Sequence, residues 1–154
     1  MTSLSYDEVF DGFLEEIGDF DFSNMDESTA NYLMSEYLQK VLSRPYIRRL
    51  FSSISYDKEI HLIEFEMADV VDEDADLEFV KTILSKGMVV EWLKPQVRNK
   101  VNTAQFFGGK EQEWFSQASH LKELRGLLED TEISLRGEIR DRGYIYNPYL
   151  ESTK

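Results

Sequence analysis

Apolar residues along this chain fall into several helical stripes and one alternating stretch. Positions 80, 83, 84, 87 and 88 keep a helical period, and from 88 to 93 only Glu91 interrupts the apolar run. The segment 79–95 therefore predicts a buried helix, with Asp74 and Asp76 placed as N-cap and first-turn charge. Pro95 lacks an amide proton and disfavours helical geometry in the residue before it, so Lys94 is the expected last residue. The 88–93 end is expected to be covered on most sides by other elements or by other subunits.

Upstream, Ser5 followed by Glu8 has capping-box spacing, and Val9, Phe10, Phe13, Leu14 and Ile17 share one helical face. They predict a first helix over Tyr6–Ile17, ended by Gly18, with Asp19-Phe20-Asp21-Phe22 as a short extended link. Ser28 or Asp26 can cap a second helix that keeps helical spacing from Ala30 through Leu42 and runs up to Arg44-Pro45. Pro45 is placed to start a further turn carrying Ile47, Leu50 and Phe51. Then the period becomes two. Ile54 and Tyr56 alternate, Asp57-Lys58 suits a turn, and Ile60, Leu62, Glu64 and Glu66 alternate again, predicting a β-hairpin over about 51–66. Ile63, Phe65 and Met67 have the opposite parity, so the second strand is either apolar on both faces or bulged.

Residues 69–78 hold six acids and read as an exposed connection, and 96–109 as an irregular, mildly basic stretch containing Phe106-Phe107. The longest helix is expected from near Ser116 to about residue 141, a span of ~39 Å at the usual helical rise. Leu121, Leu124, Leu128, Leu135 and Ile139 form its near-heptad seam, Gly143 is a natural stop, and Arg136, Arg140 and Arg142 suit the negative end of its dipole. The fold class is mainly α: a small helical bundle with a long C-terminal helix, an inserted hairpin and an extended C-terminal tail. One domain is expected over 1–142. Residues 143–154, with Tyr144, Tyr146 and Tyr149, are a docking tail whose target is either its own core or a neighbouring subunit.

The 154 residues allow one domain with a substantial core, and 42% apolar with 13% aromatic residues is too rich for a disordered chain. No run approaches the ~20 apolar residues of a membrane span, and acids stand where a signal peptide has basic residues, so neither a membrane nor that export route is expected. The net charge of −13 conceals an asymmetry: residues 1–80 carry net −15 and residues 81–154 net +2. Such a field disfavours broad nucleic-acid binding, while a dipolar subunit can stack on a copy of itself.

Candidate chemistry is sparse. Cysteine is absent, and His61 with Glu64 or His120 with Glu123 offers two metal ligands where three or four are needed. Asp72, Asp74 and Asp76 imitate the start of a calcium loop, but Leu77 replaces the turn glycine and Ile83 the bidentate glutamate. Gly108-Gly109-Lys110-Glu111 lacks the upstream glycine and the hydroxyl residue of a phosphate loop, and no serine sits in a nucleophile elbow. The chain reads as a non-enzyme with no catalytic residue, metal or cofactor.

The run Gly87-Met88-Val89-Val90-Glu91-Trp92-Leu93-Lys94-Pro95, the loop Phe106-Phe107-Gly108-Gly109-Lys110 and the stretch Phe115-Ser116-Gln117-Ala118-Ser119-His120-Leu121-Lys122-Glu123-Leu124 resemble head–tail connector, or neck adaptor, proteins of tailed bacteriophages. The resemblance covers roughly residues 28–142. It implies a structural virion protein, made in the host cytoplasm, that forms a homo-oligomeric ring, usually twelve-fold, between the portal protein and the tail or its terminator. DNA passes through such a ring without specific binding, and an acidic lining offers phosphate no partner. Arg136, Arg140, Arg142, Tyr144, Tyr146 and Tyr149 are the candidate subunit or partner interface. Leu127 and Ile133, off the leucine seam, widen the apolar surface of the last helix beyond one packed face. The competing expectation is a small acidic phage inhibitor that mimics DNA against a host enzyme.

Overall fold

The computed structural model describes residues 1–18, 25–106 and 111–144. Its elements run β1 (Thr2–Ser5), α1 (Tyr6–Ile17), α2 (Glu27–Leu42), α3 (Pro45–Arg48), β2 (Phe51–Asp57), β3 (Leu62–Met67), α4 (Glu73–Phe106) and α5 (Glu111–Tyr144). The architecture is mainly helical, with the hairpin and the long C-terminal helix in the expected places. Local capping sets the first boundaries. Ser5 accepts from the Glu8 amide while the Glu8 carboxylate accepts from Ser5, and Gly18 closes α1 in the left-handed conformation at φ 72°. Asp26, one of the two expected caps, accepts from the Thr29 amide at the start of α2.

β1 is an element the hydrophobic pattern did not predict. It pairs antiparallel with β3, giving a sheet of order β1-β3-β2 among the described residues, so the hairpin is widened by one strand. Four residues are too few for alternation to register, and only Leu4 is buried. In β3 it is Ile63, Phe65 and Met67 that face the core while Glu64 and Glu66 face outward. The bulge lies in β2, between Phe51 and Ser53. Ile60 and His61 precede β3 and belong to the turn: the Asp57 carboxylate accepts from the amides of Glu59 at 2.8 Å and Ile60 at 3.3 Å.

The core centres on α4. Val80, Ile83, Leu84, Met88 and Leu93 are fully buried, Val89 and Val90 nearly so, and the surrounding surface comes from α1, α2, β1 and α5 of the same chain. The 88–93 run thus needs no second copy to cover it. Close helix approach depends on small residues. The Ser85 hydroxyl donates to the Val9 carbonyl at 3.1 Å, where a Cβ on Gly12 would stand 2.4 Å from the Ser85 oxygen. A Cβ on Gly87 would stand 2.7 Å from the buried, branched Val41 of α2.

Both ends of α4 and both ends of α5 differ from the sequence expectation. The N-cap of α4 is Asp72, which accepts from the Ala75 amide at 2.8 Å, and Asp76 is buried inside the first turns rather than exposed with the other acids. Pro95 lies inside α4, which continues to Phe106 through most of the stretch expected to be irregular; residues 107–110, including the rest of the Phe106-Phe107-Gly108-Gly109-Lys110 loop, lie outside the described residues. A mid-helix proline costs roughly 3 kcal/mol because the carbonyl four residues back, here that of Glu91, loses its amide partner and meets the ring. Here the Gln96 side chain donates to the Trp92 carbonyl at 3.3 Å, and α5 folds back along α4 to bury its flank. α5 begins at Glu111, not near Ser116, and passes through Gly143 to Tyr144. A glycine near a helix end costs only about 1 kcal/mol when it stays helical. The expected link at 19–22 and the tail beyond Tyr144 lie outside the described residues.

Gly87→Ala is expected to destabilise the protein by about 1–3 kcal/mol, because overpacking against Val41 outweighs alanine's helix preference of ~1 kcal/mol. Urea unfolding checks it, and the double variant with Val41→Ala should lose less than the two single losses added. Ser5→Ala should cost about 1 kcal/mol at neutral pH. Hydrogen bonds from Ser5 hold the Glu8 carboxyl below its ordinary range. The stabilisation is present above the unfolded value of about 4.5 and lost as pH falls through the lowered folded value; alanine keeps the backbone bond to Glu8 and loses only the hydroxyl's, so the difference between the two proteins should narrow in acid without closing.

Candidate interaction surface

Glu91 is the charged residue within the apolar run of α4, and its side chain is 5% exposed. An uncompensated buried carboxylate costs several kcal/mol. Compensation comes from Arg44, in extended backbone because it precedes Pro45, which starts α3. Its guanidinium grips Glu91 in bidentate fashion, Nε to Oε1 at 2.8 Å and Nη2 to Oε2 at 3.0 Å, and Lys94 Nζ approaches at 3.6 Å. The ion pair pins α3 to the side of α4. Tyr46 is carried with it, and burial together with the nearby Glu91 charge pushes its phenol above the ordinary value.

A groove of about 410 Å³ opens between this α3–α4 wall and α5. Val90, Leu135 and Ile139 supply its apolar surface, Tyr46 and Glu132 border it, and Lys94, Arg136 and Arg140 give it a basic rim. Arg136 and Arg140 have side chains 77% and 70% exposed and only loose contacts with Glu132 at 3.9 Å and Asp141 at 3.8 Å. Such exposed pairs contribute little, which leaves both guanidinia available to a partner. Beyond the groove, Leu127 and Ile133 of α5 are 48% and 58% exposed. α5 packs principally on α4, which explains why its apolar surface is only partly covered.

Arg142 has a different position from its two neighbours. Its side chain is 10% exposed, it donates to the Asp76 carboxylate and the Asp69 carbonyl, and it lies 4.5 Å from the centroid of the Phe79 ring. It locks the end of α5 to the start of α4. Tyr144 closes α5, while Tyr146 and Tyr149 lie outside the described residues. Of the six expected interface residues, the structure brings Arg136 and Arg140 together. Tyr46, Val90 and Lys94 were missed; the lone glutamate in an apolar run, with Arg44-Pro45 upstream, was the signal that pointed to them.

A second depression, about 440 Å³, lies between α1 and α4 and presents Glu8, Glu15, Glu16 and Glu78. Lys81 pairs with Glu78 at 3.1 Å and Lys86 with Glu16 at 3.3 Å, so its charge is partly neutralised. Among the described residues no group of three or more histidines or carboxylates gathers as a metal cage. His61 stacks on Tyr6, and His120 stands on α5 about 4.0 Å from Glu123. No described helix is long and apolar enough to cross a membrane. No family model, curated protein or solved structure matches this chain.

Arg142→Leu should destabilise the fold by about 3–5 kcal/mol, since it leaves Asp76 buried without its cation. The double variant Asp76→Leu/Arg142→Leu should recover most of that loss in urea unfolding. Arg136→Glu and Arg140→Glu should unfold at nearly the wild-type midpoint.

Proposed function

We propose that this chain is a structural adaptor subunit of a tailed-phage head–tail junction, joining portal to tail as part of a ring around the DNA channel. The observation that carries the reading is the one-sided packing of α5, which leaves an apolar groove with a basic rim open on the molecule. Burying such a surface between copies, or against a portal, removes apolar area from water at ~25 cal/mol per Å². The acidic first 80 residues supply a surface that DNA phosphates do not adhere to, as a channel wall requires.

DNA mimicry needs carboxylates free on a rigid face. In this chain Asp76 and Glu91 are buried and paired with arginines, and Glu16 and Glu78 are paired with lysines. These four are therefore not free to imitate phosphate, while the other exposed acids would serve a channel wall and a mimic alike.

Sedimentation velocity in moderate salt, with and without a purified portal protein encoded beside it, tests the proposal. Rings or portal-bound complexes are expected. A chain that stays small, ignores portal and competes with DNA for a nuclease would establish the mimic instead. A chain ending at Tyr144 should keep its urea midpoint and lose portal or self-association if residues 145–154 dock on a neighbour; a large fall in the midpoint would assign that segment to its own core.

A further inference from the structure

We infer that the groove between α4 and α5 receives the β2–β3 hairpin tip of a second copy, making a head-to-tail contact between unlike surfaces. The inference rests on the adaptor reading only in requiring that copies meet; it names the surfaces.

The tip is built to present one side chain. Asp57 clamps the amides of Glu59 and Ile60, so the turn is fixed from within. His61 then adopts φ 53°, a left-handed conformation that non-glycine residues rarely take. It is held there by its ring, stacked 5.2 Å from that of Tyr6 with an interplanar angle of 6°, and by its carbonyl, which accepts from the Tyr6 amide at 2.9 Å. Backbone strain of this kind costs of order 1–3 kcal/mol and persists when surrounding contacts impose it. The result is Ile60, 67% exposed, next to Glu59 and preceded in the turn by the exposed Lys58 and by Asp57, whose carboxylate is occupied by the turn amides. A branched apolar side chain held out in water by a rigid turn gains free energy only when something covers it.

The groove is the complement of that tip. Ile139 is the partly open apolar residue of its floor, above the buried Val90 and Leu135, and its rim offers Lys94, Arg136 and Arg140 to Glu59 and the carboxylate of Glu132 to Lys58. The chain's own tip is not placed to fill it. β2 leaves α3 beside the groove and, at ~3.3 Å per residue, carries the turn about 20 Å away. A tip at one place and a socket at another define a heterologous contact, which closes into a ring or continues as a filament according to the rotation between copies.

Three proteins test this in sedimentation velocity at low salt and high concentration: wild type, a tip variant Ile60→Asp, and a groove variant Arg136→Glu/Arg140→Glu. Urea midpoints and circular dichroism confirm that both variants fold. Wild type should self-associate, and each variant should do so at least tenfold more weakly. An equimolar mixture of the variants should form a dimer and nothing larger, because one intact tip meets one intact groove. The inference is overturned if either folded variant assembles as wild type does, as a two-fold contact through Leu127 and Ile133 would allow, or if the mixture stays monomeric. A wild-type chain that remains monomeric yet binds portal also overturns it, and leaves the adaptor reading standing.

Discussion

The structure depends on the requirement that α4 be buried nearly all round between residues 80 and 93, which obliges four other elements to contact it. Two of those contacts are so close that only glycine fits, Gly12 of α1 against Ser85 and Gly87 against Val41 of α2. With α1 and α2 seated at those distances, the sheet meets α4 through β1. Packing at this density tolerates little change of volume, so the helix axis behaves as a fixed reference for everything attached to it.

Two buried carboxylates then fix the periphery to that axis. Glu91 draws Arg44, and with it the α2–α3 corner, onto one flank; Asp76 draws Arg142, and with it the far end of α5, onto the first turns. A buried ion pair adds little net stability compared with apolar residues of the same shape, but breaking one half is costly. Such a pair therefore acts as a locating device. The groove exists because Glu91 holds α3 on one side of it and Arg142 holds α5 on the other, at a separation that the apolar side chains alone do not fill.

Elements governed by neighbours in sequence were legible without the structure. The capping box and Gly18 bounded α1, Asp26 capped α2, Pro45 opened α3, and the change of period located the hairpin. What failed was governed by contacts distant in sequence. Pro95 has the local chemistry of a helix end, yet the packing of α5 along α4 outweighs it. Gly143 has the chemistry of a stop, yet the neighbouring Arg142 is tied to Asp76 across 66 residues and α5 continues past it. The same tie buries Arg142 while Arg136 and Arg140 stay exposed, a difference the sequence does not show because three arginines at the end of one helix look alike until their surroundings are known. Arg136 and Arg140 kept their exposure because no buried acid lies opposite them.

The charge asymmetry takes on a spatial meaning in this light. Acids dominate the first 80 residues, but of these Asp76, like Glu91 beyond them, is neutralised inside the fold and contributes little to the outer field. The carboxylates at the hairpin turn remain outside, about 20 Å along β2 from a groove whose rim carries three basic side chains. A molecule with opposite charges at separated places attracts a copy in one orientation and repels it in the reverse, so electrostatics selects the polarity of stacking before any apolar contact forms. Apolar burial at the groove then adds affinity to a geometry already chosen, and salt should weaken the selection more than the final contact, since exposed charges are screened within about 8 Å at physiological ionic strength.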